Sequence, residues 1–449
     1  MVSLIEQING FINTIVWGPY MLVFLVGVGV WYSFKTNFLQ VRKFGFTMKE
    51  TLMKIFDKPD KDAVGDITPF QALSTALAAT IGTGNIAGVA TAIAIGGPGA
   101  IFWMWISGFF GMMTKFAEVV LAIRYREKNE NGEWVGGPMY YIEKGLGMKW
   151  LAVVFSIFGA LAAFGIGNMV QANSVADAMN TTFNIPHWVS GVVLAVAAGL
   201  VILGGLKRIA KVTEKIVPFM AVFYVIGAVL ILVLNIAGIP NAFRLIFVHA
   251  FTPTSAVGGF AGATVWYAMR YGVARGVFSN EAGLGSAPIA HAAAQTDHAV
   301  RQGLWGIFEV FADTIVICTL TALVIISTGV WNSGLTGASL TTEAFNTGLA
   351  GVGGVIVAIG ILFFAFSTVL SWAYYGEKCS EYILGSKFNL AYRLIWLPLI
   401  FVGAVGSLDL IWAVADTLNG LMAIPNLIGL FLLGSVVFKL TNEFFTEKV

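Results

Sequence analysis

The chain has 449 residues, of which 57% are hydrophobic and only 11% charged, where a soluble globular protein carries about 25% charged residues. That excludes a water-facing surface over most of the molecule. A net charge of +2 gives no basic face for nucleic acid, and Cys318 and Cys379 lie in or beside apolar segments without zinc-like or disulfide-framework spacing. His187, His249, His291 and His298 are too scattered to suggest a ligand cluster. No basic n-region or cleavage site marks a signal peptide, so the first apolar stretch is expected to remain as a helix.

The apolar runs are continuous and each about 20 residues or longer, the length that carries a helix across a ~30 Å hydrocarbon core. Barrel strands would alternate over ~10 residues instead. In chain order, spans are expected near 11–33, 68–95, 98–125, 148–179, 186–205, 213–237, 256–293, 300–328, 352–383, 391–407 and 410–440. This gives an all-α membrane protein of about eleven helices. A basic amphipathic connector at 35–62 fits an interfacial segment. All Lys and Arg residues except Arg244, Lys115, Arg270 and Arg275 fall on one set of alternate connections or at the C-terminus. Basic loops stay cytoplasmic, which predicts a multi-pass cell-membrane protein with its N-terminus outside and its C-terminus inside.

Two spans are interrupted by glycine and polar residues. The first break reads T-I-G-T-G-N from Thr80 to Asn85, and the second F-S-N-E-A-G-L-G-S from Phe278 to Ser286. Gly82 and Gly84 stand at the same offset from Gly283 and Gly285, and five spans begin with each break. The expected organisation is therefore residues 1–67 as an extra helix and connector, 68–237 as one five-helix repeat, and 256–440 as a second. An odd number of spans per repeat inverts the second repeat, the arrangement of secondary transporters whose sites form where broken helices meet. Unwound backbone is tolerated at membrane depth only where it lines a protein-enclosed cavity. Its freed N–H groups suit a carboxylate and its freed carbonyls a hard cation. Asn85, Asn280 and Glu281 add polarity there, which points to function. G-T-G-N-I-A-G is not a dinucleotide fingerprint, because no strand precedes it.

Following the first break are G-G-P-G-A-I-F-W-M-W, Gly96–Trp105, and T-K-F-A-E, Thr114–Glu118. With G-T-G-N and F-S-N-E-A-G-L-G-S-A-P, these strings resemble the alanine or glycine:cation symporter family over nearly the whole chain. Gly108 departs from the pattern, where a slightly larger small residue is expected. The resemblance implies the LeuT-type, amino acid–polyamine–organocation fold, with five plus five inverted helices and discontinuous first and sixth core helices. It also implies sodium as a co-transported ion and a small amino acid as cargo. Carried over by motif, Thr80, Ile81, Gly82 and Gly84 present backbone to substrate and Asn85 a side chain. Phe278 is an aromatic gate and Ser279 a polar contact, followed by Asn280. The sodium ligands implied are the carbonyls of Ala78, Ile81 and Phe364 and the hydroxyls of Ser367 and Thr368.

Elsewhere in the spans, Gln171 can offer two donors and an acceptor to a zwitterion, with Phe164 two turns before it. Trp372, one turn after Thr368, is a candidate wall that limits side-chain size. Lys115 and Glu118 are three apart and suited to local pairing. Glu309 and Asp313, four apart, are expected to couple to Arg270 or Arg275, or to line a watery path. A channel would need charged rings or a symmetric carbonyl filter, and an enzyme a cluster of acid–base or metal groups; neither pattern is present. The reading is a sodium-coupled importer of alanine or glycine working by alternating access, with a proton-coupled carrier as the alternative. Its partners are substrate, ion and membrane lipid.

Overall fold

The computed structural model describes residues 2–55, 63–255, 262–406 and 409–446, with side chains described from residue 6 onward except at Asp409. Nearly all of it is helical. The first predicted span is two helices, α1 (Val2–Val16) and α2 (Pro19–Lys35), because Pro19 starts a new helix after Gly18. The connector forms α3 (Leu39–Arg42) and α4 (Phe44–Glu50), with Val41 and Met53 exposed; residues 56–62 of that predicted segment lie outside the described residues.

α5 (Pro69–Thr80) begins at a capping box, Thr68 with Gln71, and has proline in its first turn, where a missing N–H costs nothing. α6 (Gly84–Gly96) continues it at an angle of 49°. α7 (Ala100–Tyr125), β1 (Glu127–Lys128), β2 (Trp134–Val135) and α8 (Pro138–Leu146) follow. Next come α9 (Lys149–Phe183), α10 (His187–Ile202), α11 (Gly205–Leu234) and α12 (Ile236–His249). The second broken helix is α13 (Val265–Asn280) with α14 (Ala287–His291) beyond the break. The chain ends with α15 (Ala299–Ser327), α16 (Gly337–Gly348), α17 (Gly353–Leu384), α18 (Asn389–Val405), α19 (Asp409–Leu432) and α20 (Gly434–Thr446).

Among the described residues, eight helices are long and apolar enough to cross a membrane, or nine with α5 and α6 counted as one span. The predicted spans 186–205 and 256–293 contain the shorter α10 and α13, and residues 256–261 are not described. Two stretches read as loop are helical. α12 carries Arg244 and buries Ala242 and Ile246, while α16 buries Leu340, Thr341, Ala344 and Phe345. The last predicted span divides at Leu433 into α19 and α20.

α7 is the spine: it packs along α13 and α15 on one side and α2 on another. α5 sits between α11 and α17, and α9 between α17 and α19. Wide π turns interrupt three helices, at Gly84–Gly88 in α6, Ala163–Met169 in α9 and Phe311–Cys318 in α15. Such turns frequently accompany functional sites.

The buried charges differ from the sequence expectation. Lys115 pairs across to α15, its Nζ 3.2 Å from Glu309, with both side chains fully buried. Glu309 also meets His291 Nε2 at 3.1 Å, and His291 Nδ1 meets Gln302 at 2.9 Å. Arg270 and Arg275 instead lie over the rings of Tyr271 and Phe278. Removing one member of a buried pair strands the other charge, at about 3 kcal/mol or more. Lys115→Met should therefore lower the thermal unfolding temperature of the purified protein well below that of Lys115→Met/Glu309→Gln. Equal losses in both would show that the stranded Glu309 charge costs nothing.

Candidate functional site

Both breaks are built from backbone conflict, but their glycines act differently. At the first, α5 ends as Ile81 leaves helical geometry at φ −76°, ψ 86°. Gly82 and Gly84 have no left-handed φ; they are needed for close approach. A Cβ on Gly82 would lie 2.7 Å from Thr368 Oγ1, and one on Gly84 would lie 3.2 Å from both Phe278 and the Ser279 Cα. The two breaks thus touch. At the second, Glu281, Gly283 and Gly285 all take positive φ, at 57°, 95° and 84°, which glycine adopts without a Cβ clash.

The freed peptide groups find partners. Glu118 Oε1 on α7 accepts from Gly283 N at 3.0 Å, Gly285 N at 3.1 Å and Asn426 Nδ2 at 2.6 Å. It therefore holds the second break open from behind instead of pairing with Lys115. Asn280 closes the near side, accepting from Ala282 N at 2.9 Å and donating to Thr314 at 3.0 Å. At the first break Asn85 Oδ1 accepts from Gly82 N at 2.9 Å, while Asn85 Nδ2 donates to Asp313 Oδ1 at 2.6 Å. Ser279 Oγ donates to the same carboxylate at 3.0 and 3.1 Å. Asp313, on the π turn of α15, therefore ties both breaks together.

Between the breaks lies a small cavity of about 20 Å³. Thr80, Gly82, Gly84, Gln171, Phe278, Thr368 and Trp372 line it, as do Ala79, Thr83, Ile166, Glu281 and Asn419. Trp372 Nε1 donates to Glu281 Oε1 at 2.9 Å, and the other carboxylate oxygen accepts from Ser286. Gln171 Nε2 donates to the Ile166 carbonyl of the α9 π turn at 2.9 Å. Its Oε1, the Thr83 hydroxyl and Asn419 Oδ1 are buried with no hydrogen-bond partner among the described residues. Unmatched buried acceptors cost about 1–3 kcal/mol each, and these three border one small cavity.

Four of the predicted cation ligands come together beside this cavity. The Ala78 carbonyl lies 3.2 Å from Ser367 Oγ and 3.0 Å from Thr368 Oγ1, and the Phe364 carbonyl 2.9 Å from each. Ala79, not foreseen, joins through its carbonyl, 3.3 Å from Thr368 Oγ1. The Ala78 carbonyl is free because Gly82 N, its partner in a continuing helix, bonds Asn85 instead. This neutral all-oxygen cluster suits a hard cation. Ile81 is different: its side chain turns into an apolar groove on the outside of the bundle, and its carbonyl is not among the partners of the two hydroxyls.

Other predicted contacts are displaced from the cavity. Asn85, Ser279 and Asn280 brace the breaks and do not line the cavity. Phe164 stacks on Tyr392 with ring centroids 4.7 Å apart, and Ile166, two residues on, takes the cavity position because the π turn rotates the helix face. Of the residues that sequence reasoning left out of the site, Glu281 was visible as a charge at membrane depth. Thr83, Ile166 and Asn419 gave no comparable signal.

At one end of the bundle, beneath the breaks, backbone hydrogen bonds join the entry and exit of the two broken helices. Gln295 N donates to the Ile67 carbonyl at 2.7 Å and Asp66 N to the Ala293 carbonyl at 2.8 Å, joining the entry to α5 with the exit from α14. Arg126 donates to the carbonyls of Val64, Ala292 and Ala294 at 2.7–3.0 Å. Burial pushes its guanidinium down to about 10, with Asp66 opposing, so it stays charged at neutral pH. Lys378, 3.0 Å from Glu133, straps the β1–β2 turn over the end of α17.

Two broken helices meeting around a small polar cavity, with a cation-suited cluster at its edge, define a secondary transporter of the LeuT type. The chain belongs to the sodium:alanine symporter family, whose pattern matches residues 2–449. It is 54% identical to the sodium/alanine symporter AgcS of Methanococcus maripaludis, over 99% of this chain and 97% of that one. It is 40% identical to the probable sodium/glutamine symporter GlnT of Bacillus subtilis, over 100% and 92%. In fold it is similar to an Eremococcus coleocola manganese transporter, with a TM-score of 0.55, 17% identity and 81% and 78% of the two chains covered. It is also similar to MhsT bound to L-phenylalanine, with a TM-score of 0.53, 14% identity and 79% and 87% covered. The family is one of transporters, not enzymes.

If the backbone seal closes one face, Arg126→Ala should open it. A cysteine in place of Thr80 should then react several-fold faster with a polar thiol reagent applied from that face, and no change would dismiss the seal.

Proposed function

We propose that this protein imports alanine, glycine or similarly small amino acids together with Na⁺ by alternating access. The observation that carries the reading is the convergence of Thr83 Oγ1, Gln171 Oε1 and Asn419 Oδ1, all unpaired among the described residues, on one cavity. An ammonium group supplies the donors that these three oxygens lack. The substrate carboxylate turns to the start of α6, where the N–H groups near Thr83 and Gly84 form the positive end of a helix. At about 20 Å³, room for roughly one water, the cavity must widen to admit even alanine. Trp372, Phe278 and Ile166 wall it, which favours a small side chain.

Sodium at Ala78, Ala79, Phe364, Ser367 and Thr368 joins α5 to α17. It replaces hydrogen bonds among the five oxygens with coordination, and so fixes the end of α5 on which the substrate cavity depends. Binding is then mutually reinforcing: Na⁺ raises amino-acid affinity and substrate raises Na⁺ affinity by the same factor. The seal made by Arg126 and the Ile67–Gln295 pairing lies at the end rich in Lys and Arg, which the positive-inside rule assigns to the cytoplasm. In this reading the inner face is shut, and its opening completes import. The 68–237 and 256–440 halves supply the two rocking units.

A proton-coupled carrier is the second reading. Glu281 and Asp313 favour it, since both are buried carboxylates whose hydrogen bonds come from neutral donors.

The deciding measurement is labelled alanine uptake by purified protein in liposomes under imposed Na⁺ or H⁺ gradients, with L- and D-amino acids as competitors. Saturable uptake driven by Na⁺ is expected, with the substrate recovered unchanged. Uptake driven by a proton gradient and indifferent to Na⁺ would select the second reading. Thr368→Val should raise the half-saturating Na⁺ concentration roughly tenfold, the effect of losing one strong polar contact. Gln171→Leu should instead raise that for alanine by a similar factor. Unchanged Na⁺ dependence in Thr368→Val would mean that the cation binds elsewhere.

A further inference from the structure

The transport reading does not use an apolar groove on the outside of the bundle, bounded by α5, α11 and α15 and by Leu52 and Ile55 of the connector. Leu73, Leu77 and Ile81 of α5 recur every four residues along its floor, all nearly inaccessible to solvent. Val222 of α11 and Phe311 of α15 form its sides. At one end the lining changes character, from apolar side chains to Lys215. The same face of α11 continues through Lys211 to Arg208, at helical spacings of four and three, and all three cations are exposed. Glu214, the one carboxylate of the lining, is bonded to Gln71 Nε2 at 2.8 Å. From Lys215 to Ile226 at the far end the helix rises about 16 Å, which is about half of a ~30 Å hydrocarbon core. The groove is therefore one leaflet deep, apolar along its length and cationic at its mouth.

We propose that this groove binds one acyl chain of an anionic phospholipid, with the headgroup phosphate held by Lys215, Lys211 and Arg208. The chemistry is complementary at both ends. The tail removes exposed Val222 and Ile226 from a concave surface that straight neighbouring lipids fill poorly, and the phosphate meets Lys215, the cation of the lining. A basic cluster at the end of a transmembrane cleft is the usual form of anionic headgroup recognition. The tail ends at Ile81, the residue at which α5 unwinds, so an occupied groove would press on the first break. The binding site itself does not depend on the transport reading, and its test needs no uptake.

The test uses the full chain in phosphatidylcholine liposomes. A trace of phosphatidylglycerol with a photoreactive group in its acyl chain is added, or phosphatidylcholine labelled in the same way, and adducts are mapped by peptide mass spectrometry. Phosphatidylglycerol should label peptides containing Leu73–Ile81 and Val222–Ile226 more heavily than phosphatidylcholine does. Lys215→Gln should lower that excess about fivefold, the effect of one basic residue near an anionic headgroup. Adding Arg208→Gln and Lys211→Gln should abolish it. Ala221→Trp, which fills the groove, should remove labelling by both lipids from the α5 peptide. Phosphatidylcholine labelling elsewhere on the chain, unchanged among variants, certifies that they are folded. Equal labelling by the two lipids, insensitive to the three cations, would mean ordinary bilayer contact and would overturn the proposal. So would absence of any adduct on α5.

Discussion

In a bilayer, a peptide group that leaves a helix must find another partner or line a cavity, and this requirement organises the centre of the molecule. Here the solution is asymmetric. The second break is held from behind by Glu118, whose carboxylate accepts two backbone N–H groups and the Asn426 amide. The first is held by Asn85, which bonds Gly82 N and passes the contact to Asp313. Asp313 in turn receives Ser279 from the second break. Both unwound stretches are thus stabilised by the same buried polar scaffold, and the cavity between them is what remains once these demands are met.

This arrangement separates two jobs that proximity in the sequence would merge. Asn85, Ser279 and Asn280 keep the backbone open, while Thr83, Gln171, Asn419 and Trp372 face the space it encloses. Gly82 connects the two. Because its N–H goes to Asn85, the Ala78 carbonyl is released toward Ser367 and Thr368, and because it has no Cβ, Thr368 can come within reach of the cavity. The cation-suited cluster is a consequence of how the break is capped, which gives the cluster and the cavity a shared structural origin.

Buried charges in the surroundings also find partners across helices. Lys115, Glu309, His291 and Gln302 form one chain of contacts between α7, α14 and α15. It joins the spine to the helix that carries Asp313. At the end beneath the breaks, Arg126 satisfies three carbonyls of irregular backbone. Outside, the bundle presents exposed apolar side chains, and the groove beside α5 reaches Ile81 at the first break.

Long apolar runs, the scarcity of charge and the paired glycine-bearing interruptions were enough to read a helical membrane carrier with two broken helices, because these features are local and each is required by the bilayer. Gln171 was legible for the same reason, since polar groups at membrane depth need a purpose, whereas the Ser367/Thr368 pair followed from the family resemblance. Which neighbours they would meet was not legible. The reach of Lys115 to Glu309 instead of Glu118, and the use of Asn85 as a brace, depend on how helices far apart in the chain pack. The π turn that swaps Phe164 for Ile166 is a backbone choice that hydrophobic periodicity does not encode. Sequence alone determined that the membrane would be crossed and where the crossing helices would break; tertiary structure decided which side chains would fill the opening, since a buried polar group takes its role from the partner that reaches it.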